Sequence, residues 1–247
     1  MLIALLADIH GNLEAFQACL EHARAQGAVR YILLGDLVGY GADPVAVLRI
    51  VRGLAAEGAL AVLGNHDEAA ALGGPTGMTD AAAAAIAWTR ARLDAEDRAF
   101  LAALPLTARE EGRLYVHAEA SAPGRWRYVS DAEAARRCLE ASEAHVTFCG
   151  HVHRPALYSL SPSGTLVAFT PVAGAPVPLA QGRSWLCVLG AVGQPRDGNP
   201  AASYLLLDTQ PLTATWQRVP YDIATAARKI REAGLPPRLA DRLFLGR

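Results

Sequence analysis

A short apolar run that ends in polar residues opens the chain, since residues 2–10 read LIALLADIH. A continuous apolar run of this length predicts a strand buried on both faces, as in a parallel sheet. Asp8 and His10 follow the run directly, where such a strand ends. Ligands of α/β proteins bind beyond the carboxyl ends of the strands, so this pair is the first indication of a site.

Two further apolar runs, 31–34 and 60–63, repeat this arrangement. The polar segments that follow them are Gly35-Asp36 and Gly64-Asn65-His66-Asp67. A predicted helix separates each pair of strands, one capped by Asn12 and the other opened by Asp43-Pro44. Alternating strands and helices predict parallel pairing with right-handed crossovers.

The rest of the chain divides into a helical and a strand-rich part. Residues 68–104 have a helical pattern, and a small helical cap is one interpretation of them. Strands are predicted at 114–117 and 145–149 around a helix at 131–141. Short strands follow from 157 to 219, mainly antiparallel, before closing helices at 222–233 and 236–244. With no Gly-, Ser- or Pro-rich linker, we expect one α/β domain over residues 1–247.

Composition narrows the class of protein. The chain of 247 residues is 52% hydrophobic and 19% charged, with net charge −1, which is typical of a globular protein and unlike a basic nucleic-acid-binding surface. The four scattered cysteines include no CxxC pair and indicate reduced thiols. Residues 1–7 are too short for a signal peptide or a membrane span, so we expect a cytoplasmic protein without membrane association.

Two later strands also end in polar residues, at His117 and at Gly150-His151-Val152-His153. Five of the seven histidines fall in these strand-end motifs, and only His22 and His145 lie outside them. Each motif alone has an ordinary structural explanation, such as a turn or a helix cap. Together they would bury carboxylates and imidazoles without charge partners, which is costly unless a metal ion supplies the partner.

The succession D-x-H, G-D, G-N-H-D, a lone H and G-H-x-H resembles the calcineurin-like metallophosphoesterases over about residues 1–220. The small prokaryotic phosphodiesterase branch is the most similar, because segments 35–41 and 192–197 also resemble it. The resemblance implies an α/β fold in the form of a four-layer αββα sandwich. It also implies one metal site of Asp8, His10 and His153, a second of Asn65, His117 and His151, and Asp36 as the bridge between them.

The sequence departs from the family in three places. The arginine that protein phosphatases of the family use to bind phosphate is absent, since Gly39-Tyr40-Gly41 stands there. This argues against a phosphoprotein phosphatase. Residues 188–191 read VLGA, where members of the family often have the polar segment NPGS. Glu119 lies in a segment that usually contains small residues, and we expect its carboxylate to alter the charge near the substrate entrance.

The ligand types predict the chemistry. Carboxylate, amide and imidazole ligands suit two ions of Mn, Fe, Zn, Co or Ni better than Mg or Ca. Two such ions about 3.5–4 Å apart hold a phosphoryl group and activate a bridging hydroxide, which we expect to attack phosphorus. We expect His66 to face the substrate and protonate the leaving group as general acid. Asp67 either orients an imidazole at the site or caps the next helix.

The substrate is left open between a phosphodiester, a phosphomonoester and a dinucleoside polyphosphate. A catalytically silent metal-binding scaffold is the alternative outside enzymes. Arg196 is the predicted substrate contact, and residues 125–128 are weaker candidates, because arginines suit phosphate and aromatic rings stack on bases. We expect a small phosphate ester as the partner, and the sequence leaves the oligomeric state open.

Overall fold

The computed structural model describes residues 1–73 and 78–247. These residues contain twelve strands and eight α-helices, which form two six-stranded sheets with helices outside them. The strands are β1 (Leu2–Leu6), β2 (Arg30–Leu33), β3 (Leu60–Ala61), β4 (Thr107–Glu110), β5 (Arg113–Val116), β6 (Val146–Cys149), β7 (Pro155–Leu160), β8 (Leu166–Phe169), β9 (Val177–Pro178), β10 (Ser184–Leu189), β11 (Ala202–Thr209) and β12 (Leu212–Val219). The helices are α1 (Leu13–Ala25), α2 (Pro44–Ala56), α3 (Asn65–Leu72), α4 (Asp80–Arg90), α5 (Ala95–Ala102), α6 (Ala132–Ser142), α7 (Ile223–Glu232) and α8 (Pro237–Leu245).

Both sheets are mixed. The first has the order β3-β2-β1-β11-β12-β9, in which β1, β2 and β3 are parallel and the remaining pairs are antiparallel. The second has the order β4-β5-β6-β10-β7-β8, with β5, β6 and β10 parallel. The predicted parallel pairing of the first three strands is therefore confirmed. The strand-rich half does not form a region of its own, because β9, β11 and β12 complete the first sheet.

The side chains of β1 show how the layers are built. Ile3 and Leu5 point between the two sheets, where they join a buried cluster with Phe148 of β6. Ala4 and Leu6 point the other way and pack in the cluster formed with α1 and α2. On the far side, α6 covers the second sheet. The order is helices, sheet, sheet, helix, so the predicted αββα sandwich is confirmed, and β1 is wholly apolar because both of its faces are buried.

Residues 68–104 form parts of three helices, α3, α4 and α5, while 74–77 of this predicted segment lie outside the described residues. In α4, Ala81 and Ala85 pack in one apolar cluster with Ile230 of α7 and Leu239 of α8. The interpretation of 68–104 as a cap stays a prediction, as does the single domain.

The four cysteines are free and buried. Among the described residues, no helix is both long enough and apolar enough to cross a bilayer.

Candidate metal centre and active site

The structure brings all seven predicted metal ligands together where the two sheets meet. Asp8 and His10 follow β1, Asp36 follows β2 and Asn65 begins α3 after β3, so the first sheet supplies these four. The second sheet supplies His117 after β5, and His151 and His153 after β6. All except Asn65 are buried. The five strand ends that the sequence places at one edge therefore come from two sheets packed face to face.

The backbone at this centre is strained. Among the described residues, five of the seven predicted ligands have a positive φ, namely Asp8, His10, Asp36, His151 and His153. Each residue held in this left-handed region costs on the order of 1–3 kcal/mol and persists only where its surroundings fix it. Hydrogen bonds between the loops do this, such as that from His10 N to Asp36 O at 2.8 Å.

At two motif positions only glycine fits, because the backbone of one site loop lies directly against another loop. A Cβ on Gly64 would lie 2.1 Å from the backbone nitrogen of Asp36, and one on Gly150 would lie 2.6 Å from Asp8 Oδ2. Both distances are far inside van der Waals contact. The glycines that precede Asn65 and His151 thus let the loops converge on the carboxylates.

The donor atoms fall into two groups that share Asp36. One group is Asp8, His10, Asp36 and His153, the other is Asp36, His117 and His151, and within each group the donor atoms lie within 4.8 Å of one another. Asp36 Oδ2 lies 3.6 Å from His10 Nε2 and 3.3 Å from His117 Nε2. Among the described residues this buried oxygen accepts no hydrogen bond. Asn65 Oδ1 lies 3.3 Å from His117 Nε2.

A backbone carbonyl orients each of the four imidazoles of the two groups. The contacts are His10 Nδ1 to Val38 O (3.2 Å), His117 Nδ1 to Leu34 O (2.7 Å), His151 Nε2 to Trp126 O (2.9 Å) and His153 Nδ1 to Gln194 O (2.7 Å). A carbonyl can only accept, so in each neutral ring this nitrogen carries the hydrogen. The other nitrogen then presents its lone pair to the centre, which is how metal-binding histidines are held.

The residues present fit two divalent cations. His10 Nε2 lies 3.1 Å from His153 Nε2, and His117 Nε2 lies 3.1 Å from His151 Nδ1. Lone pairs that face each other at this distance repel unless a cation or proton lies between them. Burial lowers the pKa of His10, and it lowers that of His151 to about 3, which favours the neutral ligand form.

His117 differs from His10 and His151. Burial lowers its pKa, but the carboxylates of Asp36 and Asp8 and the hydrogen bond to Leu34 O together outweigh burial and raise it to about 9. Positive charge is therefore stabilised next to Asp36.

His66 lies beside the two donor groups without belonging to either. Its ring centroid is 4.8 Å from that of His10 and 4.5 Å from that of Tyr40. Burial lowers the pKa of His66 to about 4, although Asp36 opposes this shift. The ring lines a cavity of about 310 Å³ with Asn65 and His151. A ligand in this cavity would meet His66 and both of those predicted metal ligands.

Of the two roles predicted for Asp67, orienting an imidazole or capping a helix, its contacts are those of a helix cap. Its carboxylate accepts hydrogen bonds from the backbone N–H groups of Leu37 (2.8 Å), Val38 (3.2 Å) and Gly64 (3.1 Å). Burial, together with the charge of Asp36, raises its pKa to about 8. These contacts tie the start of α3 to the loop after Asp36, and the partner atoms are amides rather than imidazoles.

Some of the residues predicted to contact the substrate lie near the centre, and others do not. Arg196 is half-buried, donates to Gln194 Oε1 at 3.0 Å and has its Cζ 5.7 Å from the ring centroid of Tyr40. Arg125, Trp126 and Tyr128 line the cavity of His66, whereas Arg127 is exposed.

Two neighbouring residues differ from the sequence-based expectations. Glu119 is fully buried, accepts hydrogen bonds from Ser121 and pairs with Arg137, so the expectation that it alters the charge at the entrance is wrong. Tyr40 had no predicted role, yet its ring lies against those of His10 and His66. Its position between two glycines, directly after the G-D motif, was the available signal.

Comparisons with known proteins agree with this geometry. The sequence pattern of the calcineurin-like phosphoesterase superfamily domain matches residues 1–211. An uncharacterized protein of Methanocaldococcus jannaschii is 35% identical over 257 residues, covering 100% of this chain and 98% of that one. The crystal structure of a metallophosphoesterase from Sphaerobacter thermophilus is similar with a TM-score of 0.87 at 34% identity, over 100% of this chain and 99% of that one.

Two further matches are more limited. A hypothetical protein from Pyrococcus horikoshii shares the fold with a TM-score of 0.79 at 20% identity, over 100% of this chain and 98% of that one. A symmetrical bis(5'-nucleosyl)-tetraphosphatase of Glaesserella parasuis is 42% identical over 64 residues, which cover 26% of this chain and 23% of that one.

Proposed function

The chain belongs to the calcineurin-like phosphoesterase superfamily and is a metal-dependent phosphoesterase, and we propose that it uses two divalent ions to hydrolyse small or nucleotide-like phosphodiesters. One observation carries the two-ion proposal: the oxygen Asp36 Oδ2 lies between two groups of buried donors and accepts no hydrogen bond among the described residues. Asp8, His10 and His153 would hold one ion, and Asn65, His117 and His151 the other, with Asp36 shared.

The protein's own residues hold and orient the reacting groups. When bound, the two ions supply positive charge for the phosphoryl oxygens and acidify a water molecule. The carbonyl groups of Leu34, Val38 and Gln194 keep three imidazoles in the tautomer that a cation requires. The donor set fits the Mn, Fe, Zn, Co or Ni ions expected from the ligand types.

His66 is the proposed proton donor for the leaving group. In hydrolysis a water molecule releases one proton to the solvent as its oxygen bonds to phosphorus, and the bond to the ester oxygen breaks. The departing oxygen takes a proton from His66, which regains one from the solvent. Because burial lowers the pKa of His66 to about 4, the free ring is neutral at pH 7. The negative charge of a bound phosphate raises that pKa, which favours the doubly protonated ring that donates the proton.

The test of this role compares two leaving groups in His66→Gln. Loss of a general acid costs about 10²- to 10⁴-fold where the leaving alkoxide is basic. We expect that loss with a dinucleoside monophosphate and a much smaller one with bis(p-nitrophenyl) phosphate, whose leaving group needs no proton.

The metal content of His66→Gln, measured by elemental analysis, should equal that of the wild type. The matched control is His145→Gln, outside the centre, which should keep both rates. Equal losses with the two substrates, or loss of metal, would remove His66 from the proton-donor role.

Hydrolysis of dinucleoside polyphosphates is the second candidate function. The ring of Tyr128 is half-exposed, stacks on His151 with centroids 4.0 Å apart and lines the cavity of His66, where a base could stack on its open face. The match to a tetraphosphatase over 64 residues supports this candidate.

A panel of esters separates the candidates, with phosphomonoesters, phosphodiesters and dinucleoside polyphosphates assayed in excess Mn²⁺. The proposal predicts the highest kcat/KM on phosphodiesters. If no ester is hydrolysed in Mn²⁺, the panel is repeated with Fe, Zn, Co and Ni, and hydrolysis of no ester with any of the five metals would favour the scaffold alternative.

A further inference from the structure

A cleft lined by arginines lies beside the centre, between α8 and the loops that follow β6 and β10. We call it the arginine cleft and define it by Arg154, Arg196, Arg238 and Arg242. It consists of two adjoining cavities, one of about 330 Å³ lined by Arg238 and Arg242, and one of about 730 Å³ lined by Arg154, Arg196 and Arg242. Both volumes are within the range of small-molecule sites.

No Asp or Glu side chain among the described residues pairs with the four arginines of this cleft. Asp197, the acidic residue that lines it, is paired with Arg218, and Arg242 donates to an oxygen of Arg247, which lines both cavities as well. The Nε atom of Arg196 is buried and has no hydrogen-bond partner among the described residues. Burial lowers the pKa of Arg242, and the charge of Arg196 lowers it further. Several guanidinium groups close together, one of them with an N–H that has no acceptor, form a binding site for an anion.

The cleft adjoins the active-site cavity. Tyr40 and Thr79 line both the cavity of His66 and the smaller cavity of the arginine cleft. Arg196, which lines the larger cavity of the cleft, has its Cζ 5.7 Å from the Tyr40 ring centroid. One extended ligand could therefore have an anionic group at the centre and another among the arginines.

We propose that the arginine cleft binds a second phosphate of the substrate, so that among phosphodiesters the enzyme prefers those that carry a further phosphate group, as a condensed phosphate chain does. One phosphate lies at the metal centre and another lies among the arginines of the cleft. A small ligand is favoured over a nucleic-acid strand because the net charge is −1 and the arginines line a bounded cleft. The identity of the phosphate that is cleaved rests on the proposed function, whereas the binding of the chain does not.

The experiment measures binding to the Mn²⁺-loaded protein by calorimetry, with inorganic tripolyphosphate and orthophosphate as probes and free Mn²⁺ held constant. Orthophosphate can occupy one position, and tripolyphosphate can occupy the centre and the cleft together. We expect wild type to prefer tripolyphosphate, and Arg238→Gln and Arg242→Gln each to reduce that preference by about fivefold, the upper range for one exposed charge pair. Arg49→Gln on α2, which lines neither cavity, should keep the preference.

Two variants are used because Arg242 also contacts the carbonyl of Arg247 and its loss could disturb the end of α8, whereas Arg238 is exposed and has no recorded partner among the described residues. Equal affinity of wild type for the two probes, or an unchanged preference in both variants, would overturn the proposal. Weak tripolyphosphate binding in Arg49→Gln as well would show a general charge effect and overturn it too. Ester hydrolysis is assayed separately, so failure of the proposed function is distinguishable from failure of this subsite.

Discussion

At the scale of single residues, the contact between Gly39 and His66 fixes the position of the proposed proton donor. Gly39 has φ +90°, and a Cβ there would lie 2.5 Å from His66 Nδ1. We expect Gly39→Ala to displace the His66 ring and to reduce kcat/KM by about 10²-fold, as a shift of about 1 Å does in other enzymes. Steady-state kinetics with bis(p-nitrophenyl) phosphate and with a dinucleoside monophosphate measure this.

The matched control is Gly53→Ala in α2, where a Cβ would meet no atom within 4 Å. Alanine is favoured over glycine in a helix by about 1 kcal/mol, so this variant should be slightly more stable and fully active. Unchanged kinetics in Gly39→Ala would show that the position of His66 does not matter.

The shared carboxylate leads to a second prediction at this scale. In Asp36→Asn the oxygen between the two donor groups loses its negative charge, while the side chain keeps its shape. We expect elemental analysis to find about one ion per chain in place of two, since the remaining donors no longer balance two dications. Two ions bound in Asp36→Asn with wild-type affinity would contradict the bridging role.

The apolar strands were sufficient to predict that polar residues collect at strand ends, because strand ends meet at a sheet edge. The division of the donors into two groups was implied by the family resemblance, and that the strand ends belong to two sheets came from the structure. The sequence was not sufficient for the tautomers, which depend on carbonyl groups such as Gln194 O, distant from His153 in the chain. The position of Tyr40 is likewise set by how one loop folds over another. Such contacts leave no periodic signal in the sequence.

At the scale of elements, the start of α3 connects stability to the centre. The Asp67 carboxylate accepts three backbone N–H groups, two of them from the loop that follows Asp36. In Asp67→Ala these buried donors lose their acceptor, and each costs about 1–3 kcal/mol. We expect a loss of stability of about 3 kcal/mol in chemical denaturation, together with weaker metal binding.

Asp222→Ala is the control for this change. Asp222 is exposed and caps α7 through one hydrogen bond to Thr225 N at 2.9 Å. Its loss should cost about 1 kcal/mol and leave metal binding unchanged. If both variants lost stability and metal equally, Asp67 would have no special connection to the centre.

The elements that the sequence failed to predict are edge strands. β4 contains the charged residues Arg109 and Glu110, and β9 has only two residues. Neither has an apolar run, because β4 pairs on one side only and β9 lies at the edge of its sheet. The buried strands were predicted because both faces of each strand need apolar side chains. The order of strands within the two sheets depends on long-range pairing and came from the structure alone.

At the scale of the whole molecule, the centre joins loops from both sheets, so bound metal should stabilise the complete fold. An ion at one hundred times its Kd adds about 2.7 kcal/mol to the free energy of unfolding. For a chain of this size that raises Tm by about 5–10 °C. We expect this difference in calorimetry between Mn²⁺-loaded and chelator-treated protein. A Tm independent of metal would show that the strained loops need no cation to hold them.

The central claim is that two divalent ions bind at this centre and that ester hydrolysis depends on them. The most direct measurement titrates chelator-treated protein with Mn²⁺ and records bound metal and bis(p-nitrophenyl) phosphate hydrolysis in the same samples. The account predicts no turnover without metal, a rise that follows occupancy, and saturation at about two ions per chain. Full turnover in metal-free protein, or saturation of turnover with no metal bound at the centre, would contradict it.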